Sequence, residues 1–154
     1  MAEPKFVPKP GQTDYTNIRY APVINSLVMH KDKILLVRRS SDMRLYPDHW
    51  NGISGFLDDS SSIEDKIYEE LREELGLSKF AVDSMERGRP FIQEAPEYKK
   101  TWLVVPVLVR LNQVKLKLNW EASHAEWFTV NEVKKLDLLP GFIDVVAEFY
   151  PEVL

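Results

Sequence analysis

The stretch GFLDDSSSIEDKIYEELREELGL, residues 55–77, carries the strongest structural signal in the chain. Within it Ile63, Ile67, Leu71 and Leu75 recur every four residues, which is the spacing of one apolar helix face. The stretch therefore predicts one amphipathic helix that packs this apolar stripe on the core of the domain.

Both ends of this helix are also marked in the sequence. Ser61 is followed three residues later by Glu64, a spacing that predicts a capping box at the amino end. Gly76 predicts the carboxyl end, because glycine readily adopts the left-handed conformation of a helix C-cap.

The glutamates of the helix are not equivalent to one another. On a helical wheel of about 100° per residue, Glu70 and Glu74 fall within or beside the apolar arc. Glu73 falls on the margin of the arc, and Glu69 lies on the solvent side. A buried carboxylate is costly unless a cation or a wet cleft faces it. Carboxylates at i, i+3 and i+4 suit Mg²⁺ or Mn²⁺, but glutamate stems that reach water from the core margin explain the pattern equally well.

The rest of the chain reads as strands and short helices around this element. Residues 1–20 are polar and proline-rich, which predicts an irregular arm. Pro106 interrupts an apolar run and predicts an edge strand or a bulge. Asn131 is the predicted cap of a short helical turn. Strands are predicted at 22–30 and 33–39 as a hairpin, at 52–56, weakly at 80–85, at 101–111, at 114–118 pairing back on it, and at 125–130, with a closing helix at 141–150. This order predicts an α/β or α+β sandwich with a mixed sheet.

Composition narrows the classes of function. A chain of 154 residues fits one domain, and 44% apolar with 29% charged residues is ordinary for a globular protein. The net charge of −4 disfavours nonspecific nucleic-acid binding. The absence of cysteine excludes disulfides, thiolate zinc sites and cysteine nucleophiles. No apolar run suggests a signal peptide or a membrane span, so a cytoplasmic enzyme or binding domain is expected.

The spacing of residues 55–77 resembles the Nudix box, G-x5-E-x7-R-E-U-x-E-E-x-G-U with U apolar. The matching positions are Gly55, Glu70, Leu71, Glu73, Glu74, Gly76 and Leu77. The resemblance extends over roughly residues 20–150. It implies the Nudix α/β/α sandwich with a mixed sheet over residues 21–154, after an arm at 1–20.

Two positions depart from the box. Ser61 stands where the family has its first glutamate, and Glu69 stands where the family has arginine. In the family these two side chains tend to pair, and the arginine helps to hold the helix carboxylates. We interpret the departures as loss of one structural bridge and not of the metal site.

The resemblance implies a chemistry for the helix. Nudix enzymes mostly hydrolyse a diphosphate bond in a nucleoside diphosphate linked to another group. The expected cofactor is Mg²⁺, with Mn²⁺ as an alternative, held by Glu70, Glu73 and Glu74, of which Glu73 and Glu74 are also catalytic candidates. The expected partner is a small nucleotide-type substrate, with no membrane and no specific nucleic acid, and a homodimer is a further possibility.

Several residues outside the helix are candidates for the same site. Glu121 is the first candidate for a general base or extra metal ligand, and His124 is the alternative. Arg38 and Arg39 point to opposite faces of a strand, so one of them is expected to reach phosphate. Together with these arginines, Trp50 and Gly55 are the candidate substrate-binding residues. Further cations and aromatic residues that could flank a cleft are Arg44, Arg87, Arg89, Lys99, Lys100, Tyr46, Phe91 and Tyr98.

Two alternative functions stay open. The segment RRSSDMRLYPDHWNGISG, residues 38–55, also resembles isopentenyl-diphosphate-isomerase-like Nudix proteins. True isomerases use an active-site cysteine, which this chain lacks, so a hydrolase of that branch is the relevant form. The other alternative is a Nudix binding or regulatory domain with little catalysis, which only Ser61 and Glu69 support.

Overall fold

The computed structural model describes residues 5–154, so the first four residues of the predicted arm lie outside the described part. The described chain contains one mixed sheet of eight strands. In chain order they are β1 Tyr20–His30, β2 Lys33–Arg39, β3 Trp50–Asn51, β4 Ile53–Phe56, β5 Val82–Arg87, β6 Phe91–Ala95, β7 Lys100–Leu111 and β8 Ala122–Phe128.

The centre of the sheet is the pair β1 and β7, which run parallel to each other. Strand β1 also pairs antiparallel with β2, which confirms the predicted hairpin, and with β4. Strands β5 and β6 lie end to end along the other side of β7. Strands β3 and β8 extend the sheet beyond β2. This mixed sheet is the predicted one.

Helices cover both faces of the sheet. They are α1 Ile63–Leu75, α2 Val130–Val133 and α3 Phe142–Phe149. Alternate residues of β1 divide between two cores, because successive side chains of a strand point to opposite faces. Ile24 packs in the core that α1 covers, and Leu27 packs in the core that α3 covers. The architecture is therefore the expected α/β/α sandwich. In residues 5–154, no helix combines the length and apolarity that crossing a membrane requires.

The helix caps correct two predictions and confirm one. Helix α1 begins after Ser62, whose side chain accepts a hydrogen bond from the Asp65 backbone N–H at 3.1 Å, so the capping box at Ser61 was wrong. The backbone N–H of Ser61 instead donates to an Asp59 carboxylate oxygen. Gly76 closes α1 in the left-handed conformation, with φ of 67°, as predicted. The cap of α2 is Thr129, in a capping box, and not Asn131 as the sequence suggested.

Two strand predictions were also wrong. Residues 114–118 form no strand, since β1 on one side and β5 and β6 on the other already flank β7. The alternating leucines of that segment pack against the core beside α1 instead. The predicted edge position of Pro106 was wrong, because β7 is internal, but the alternative of a bulge agrees with the break opposite it, where residues 88–90 face only residues 105–106 of β7. The Pro106 carbonyl accepts from Gly88 N–H at 2.8 Å, so the N–H that proline lacks falls at the break between β5 and β6.

Candidate active site

A cavity of about 490 Å³ opens beside residues 55–77, the segment that resembles the Nudix box. One end of the cavity is acidic and is formed by Glu70 and Glu73 of α1 and by Glu121, just before β8. Gly55 of β4 forms part of the floor, and Arg39 at the end of β2 contributes a cation. The helix and three segments of the sheet thus bring these predicted site residues together.

Gly55 makes room for Glu70. A Cβ atom placed on Gly55 would lie 2.6 Å from Glu70 Oε1, which is closer than any real Cβ contact. Any larger residue at position 55 would therefore displace this carboxylate. The glycine of the box lets β4 approach α1 closely enough to form a wall around the Glu70 side chain.

Glu74 lies behind Glu70, with only 6% of the residue exposed. Its Oε2 atom is buried and has no hydrogen-bond partner. Burial raises the pKa of Glu74 well above its ordinary value, and the charges of Glu70 and Glu121 raise it further, while Arg39 opposes them. A carboxylate in this position is stable as an anion only when a nearby cation compensates it.

Glu70 is perturbed in the same direction. Burial raises the pKa of Glu70 to about 8, with further contributions from the charges of Glu121, Glu73 and Glu69. A hydrogen bond with Glu74 acts in the opposite direction. The influence of Glu121 on both helix carboxylates shows that this loop residue faces the same acidic end of the cavity.

The donor set fits a hard divalent cation. The acidic end offers only carboxylate oxygens, which are the ligands that Mg²⁺ and Mn²⁺ prefer, and one of these oxygens is buried without a partner. Within residues 5–154, no three histidine, aspartate or glutamate side chains already converge at coordinating distance. To hold a cation, these carboxylates would have to lie closer together than they do in this structure.

Lys66 is a buried cation beside this site that the sequence reasoning missed. Its ammonium lies 3.1 Å from Asp58 Oδ1, 3.1 Å from Asp59 Oδ2 and 3.0 Å from Glu69 Oε2. Glu69, which the wheel placed on the solvent side, is thus half-buried and paired. The helical wheel could have indicated this position, because it places Lys66 at roughly 40° from Glu70, on the side of Glu73.

The remaining predicted residues divide between the cavity and the outside. Arg39 lines the cavity and donates from Nε to the Leu45 carbonyl at 3.0 Å. Arg38 points away from it and contacts Asp48. Trp50 packs edge-on against Phe128, outside the cavity lining. Of the other cations and aromatic residues considered, Arg44, Lys100 and Tyr46 line the cavity, whereas Arg87, Arg89, Lys99, Phe91 and Tyr98 do not.

The two candidates for a general base are also separated. Glu121 lines the cavity, near the helix carboxylates. His124 is exposed on β8, where its Nδ1 lies 3.1 Å from Ser123 Oγ, and it does not line the cavity. The geometry therefore favours the loop glutamate over the histidine.

The amino-terminal segment 5–18 forms a further wall of the cavity that the sequence did not predict. We call residues 5–18 the strap. Its Gln12 donates to Asp58 Oδ2 at 2.8 Å, and the ring of Tyr15 stacks on Phe56 at 5.9 Å. The buried ammonium of Lys100 donates to the carbonyls of residues 15, 16 and 18. These contacts fix the strap against the domain.

Comparisons with known proteins agree with this fold. The sequence profile of the family described as NUDIX domain matches residues 19–150. The MutT protein from Methanosarcina mazei Go1 has 18% identity and a TM-score of 0.71, over 88% of this chain and 96% of that one. The NUDIX domain of Shewanella oneidensis NrtR, complexed with ADP ribose, has 15% identity and a TM-score of 0.71, over 88% and 89%. A C. elegans Ap4A hydrolase has 18% identity and a TM-score of 0.68, over 86% and 97%. A search of curated proteins finds no significant sequence match.

The family match covers most of the chain, and the sandwich and the box lie within it. The chain therefore belongs to the NUDIX family.

Proposed function

We propose that this protein is a divalent-cation-dependent hydrolase that cleaves the diphosphate bond of a nucleoside diphosphate linked to another group. The observation that carries the proposal is the acidic end of the cavity. There Glu70, Glu73 and Glu121 line the surface, and the buried Glu74 has a carboxylate oxygen without a partner. Such a cluster is costly without a cation, and a diphosphate brings further oxygen ligands for one.

Three helix residues would hold the cation, which we expect to be Mg²⁺ or Mn²⁺. Glu70 and Glu74 lie one helical turn apart, and Glu73 is exposed at the cavity surface, so the three carboxylates can approach one patch. Bound there, the cation would neutralise charge on the diphosphate oxygens and lower the pKa of a coordinated water.

Glu121 would accept the proton of the attacking water. It lies on a loop, so its distance from the helix can change when substrate binds, whereas the three helix carboxylates are held by α1. Water attacks one phosphorus in line, and the other phosphate departs with its substituent. Arg39 and Arg44 at the cavity wall would bind the charged phosphate oxygens.

The size and walls of the cavity support a nucleotide-type substrate. About 490 Å³ lies within the range of small-molecule sites. Tyr15, Phe56 and Trp102 form a wall of aromatic rings, in which the ring of Phe56 contacts both others at centroid distances of 5.9 Å. Aromatic faces of this kind can stack on a nucleobase. The similar structures named above include one complexed with ADP ribose and one hydrolase of Ap4A, which supports a nucleotide-type substrate.

A substrate panel tests the proposal. Dinucleoside polyphosphates, ADP-ribose, NADH, nucleotide sugars, nucleoside triphosphates and isopentenyl diphosphate would each be incubated with Mg²⁺, Mn²⁺ or EDTA. We expect cleavage of at least one nucleotide-type compound with metal and none with EDTA. Cleavage of isopentenyl diphosphate alone would favour the isomerase-like branch. Binding of a nucleotide without turnover under either metal would refute the proposal and favour a binding or regulatory domain.

Glu73→Gln is the matched catalytic control, because Glu73 is exposed and its substitution leaves the packing of α1 intact. It should remove most of the activity on the best substrate. A cytoplasmic location and a homodimer remain predictions from the sequence and the family resemblance.

A further inference from the structure

Lys66 occupies a position that demands an explanation. Its side chain is 4% exposed, yet it carries an ammonium group in the first turn of α1. Burial alone lowers the pKa of Lys66, but the hydrogen bonds that its ammonium donates to Glu69, Asp58 and Asp59 raise the pKa above the ordinary value, so the residue stays charged. A buried charge is tolerated when good geometry and several hydrogen bonds compensate for the lost water.

The partners of Lys66 come from two parts of the box. Asp58 and Asp59 belong to the loop between β4 and α1, and Glu69 belongs to the helix itself. The ammonium therefore connects the loop to the middle of the helix. The box bridge that this chain lacks would make the same connection, between an acidic residue at position 61 and a cation at position 69.

The charge at position 69 is opposite to that in the family, and the charges of the other residues in the Lys66 network compensate for this difference. Glu69 is an anion where the family has a cation, and the cation is found one turn earlier, at Lys66. Ser61 is neutral, and the anions of the loop are found two and three residues earlier, at Asp59 and Asp58. Each lost member of the bridge thus has a substitute of the required charge.

We propose that Lys66 is a positioning residue that replaces the missing box bridge and holds the carboxylate of Glu70 in its place opposite Gly55. This inference rests on the proposed function. Glu69, which Lys66 binds, directly precedes Glu70 in the helix. Asp58, which Lys66 also binds, lies three residues after Gly55, where a Cβ atom would clash with the Glu70 side chain. Loss of the ammonium would leave three carboxylates uncompensated beside those that we expect to bind the cation.

The first experiment measures Mn²⁺ binding to Lys66→Gln without substrate, by titration calorimetry or by electron paramagnetic resonance of free Mn²⁺. Residues that orient metal ligands typically affect metal affinity by about 10- to 100-fold, and we expect a loss in this range. With substrate, the concentration of metal that gives half-maximal activity should rise by a similar factor, while the substrate KM at saturating metal changes little.

The control is Arg87→Gln. Arg87 of β5 forms a bidentate ion pair with Glu64 of α1, in which both nitrogen–oxygen distances are 2.7 Å. Arg87 does not line the cavity. Its loss removes one helix ion pair without touching the loop. Metal affinity should therefore stay at the wild-type value, which separates a positioning role from a general loss of helix stability.

The decisive experiment is a rescue. The variant Ser61→Glu, Lys66→Gln, Glu69→Arg removes the present network and restores the family bridge. It should bind Mn²⁺ within a few-fold of wild type, although it still lacks the lysine. If Lys66→Gln does not fold, Asp59→Asn supplies the weaker perturbation, with a smaller loss of Mn²⁺ affinity expected.

Two results would overturn the inference. The first is a Lys66→Gln variant that binds Mn²⁺ as tightly as wild type does, and Asp59→Asn takes its place in this comparison if Lys66→Gln does not fold. The second is a triple variant that binds Mn²⁺ no more tightly than Lys66→Gln does. Wild-type protein that binds no Mn²⁺ would refute the proposed function itself. The two failures are therefore distinguishable in the same titration.

Discussion

Neutralising Glu74 should stabilise the metal-free protein while it removes activity. In Glu74→Gln the buried carboxylate, with its unpartnered Oε2 atom, becomes an uncharged amide of nearly the same size. The amide can still hydrogen-bond with Glu70, and it no longer repels Glu70 and Glu121. The same substitution removes one oxygen ligand from the proposed cation site.

The stabilisation should depend on pH in a defined direction. The folded-state pKa of Glu74 is raised above its unfolded value of about 4.5. The native state therefore binds more protons than the unfolded state above that pH, and wild-type stability falls as pH rises. For the neighbouring Glu70, a shift of the pKa from 4.5 to about 8 corresponds to a few kcal/mol at about 1.4 kcal/mol per pKa unit, and the burial of Glu74 acts in the same direction.

The assay is thermal unfolding in EDTA between pH 5 and pH 8, together with metal-dependent turnover. We expect Glu74→Gln to match wild type near pH 5 and to melt several degrees higher near pH 8. Turnover should fall by roughly 10³-fold or more, as expected for a lost metal ligand. Glu73→Gln, at an exposed position, should lose activity without this gain in melting temperature. A variant that melts below wild type at pH 8, or retains normal turnover, would refute the reasoning.

Three further predictions concern the base, the strap and the floor of the cavity. Glu121→Gln should lower kcat by about 10²- to 10⁴-fold with little change in KM and should flatten the acid limb of the pH–rate profile, whereas His124→Gln, measured beside it, should be almost silent. Lys100→Met removes the ammonium that holds backbone carbonyls of residues 15–18, so steady-state kinetics should show a raised KM with kcat within a few-fold; an unchanged KM would mean that the strap does not contact substrate. Gly55→Ala should weaken Mn²⁺ binding in calorimetry, since its methyl group would displace the adjacent helix carboxylate, and unchanged affinity would contradict this role.

The pairing of Glu69 with Lys66 decides what restoring the box bridge would do to the fold. From the box alone, restoring the bridge as Ser61→Glu with Glu69→Arg should be harmless to the fold. The structure places Glu69 Oε2 at 3.0 Å from the Lys66 ammonium, so an arginine there would oppose a buried lysine. We now expect the double variant to be less stable than wild type, unless Lys66 is also neutralised. Chemical denaturation of the double and triple variants checks this order.

The elements that the sequence predicted well are those with local causes. Helix α1 follows from its four-residue apolar spacing, and its end follows from the one residue that adopts φ of 67° at low cost, Gly76. The register of the amino end could not be fixed in this way. Three successive serines, 60–62, offer nearly equivalent caps, and the hydrogen bond from Ser61 N–H to Asp59 selects the last of them.

The failures share a non-local cause. The alternation of apolar and polar residues in 114–118 indicates that alternate side chains are buried. It does not indicate whether a neighbouring strand has free backbone groups with which the segment could form hydrogen bonds. The period of a strand placed Arg38 and Arg39 on opposite faces, yet only the assembled sheet shows that the cavity lies on the side of Arg39. The i, i+3 spacing of Lys66 and Glu69 is visible in the sequence, but the contacts of Lys66 with Asp58 and Asp59 join a helix to a loop, and no spacing rule for ion pairs describes those.

The strap has a practical consequence for anyone who prepares this protein. A truncation at residue 19, where the family match begins, would delete a wall of the cavity and leave Lys100 without its backbone acceptors. Residue 5 already lines the cavity, so an affinity tag at the amino end would be joined to the chain only a few residues before this wall. Leu154 is exposed and lies outside the lining, which makes the carboxyl end the safer attachment point. Kinetic constants from amino-terminally tagged protein should be compared with those of cleaved material before substrates are ranked.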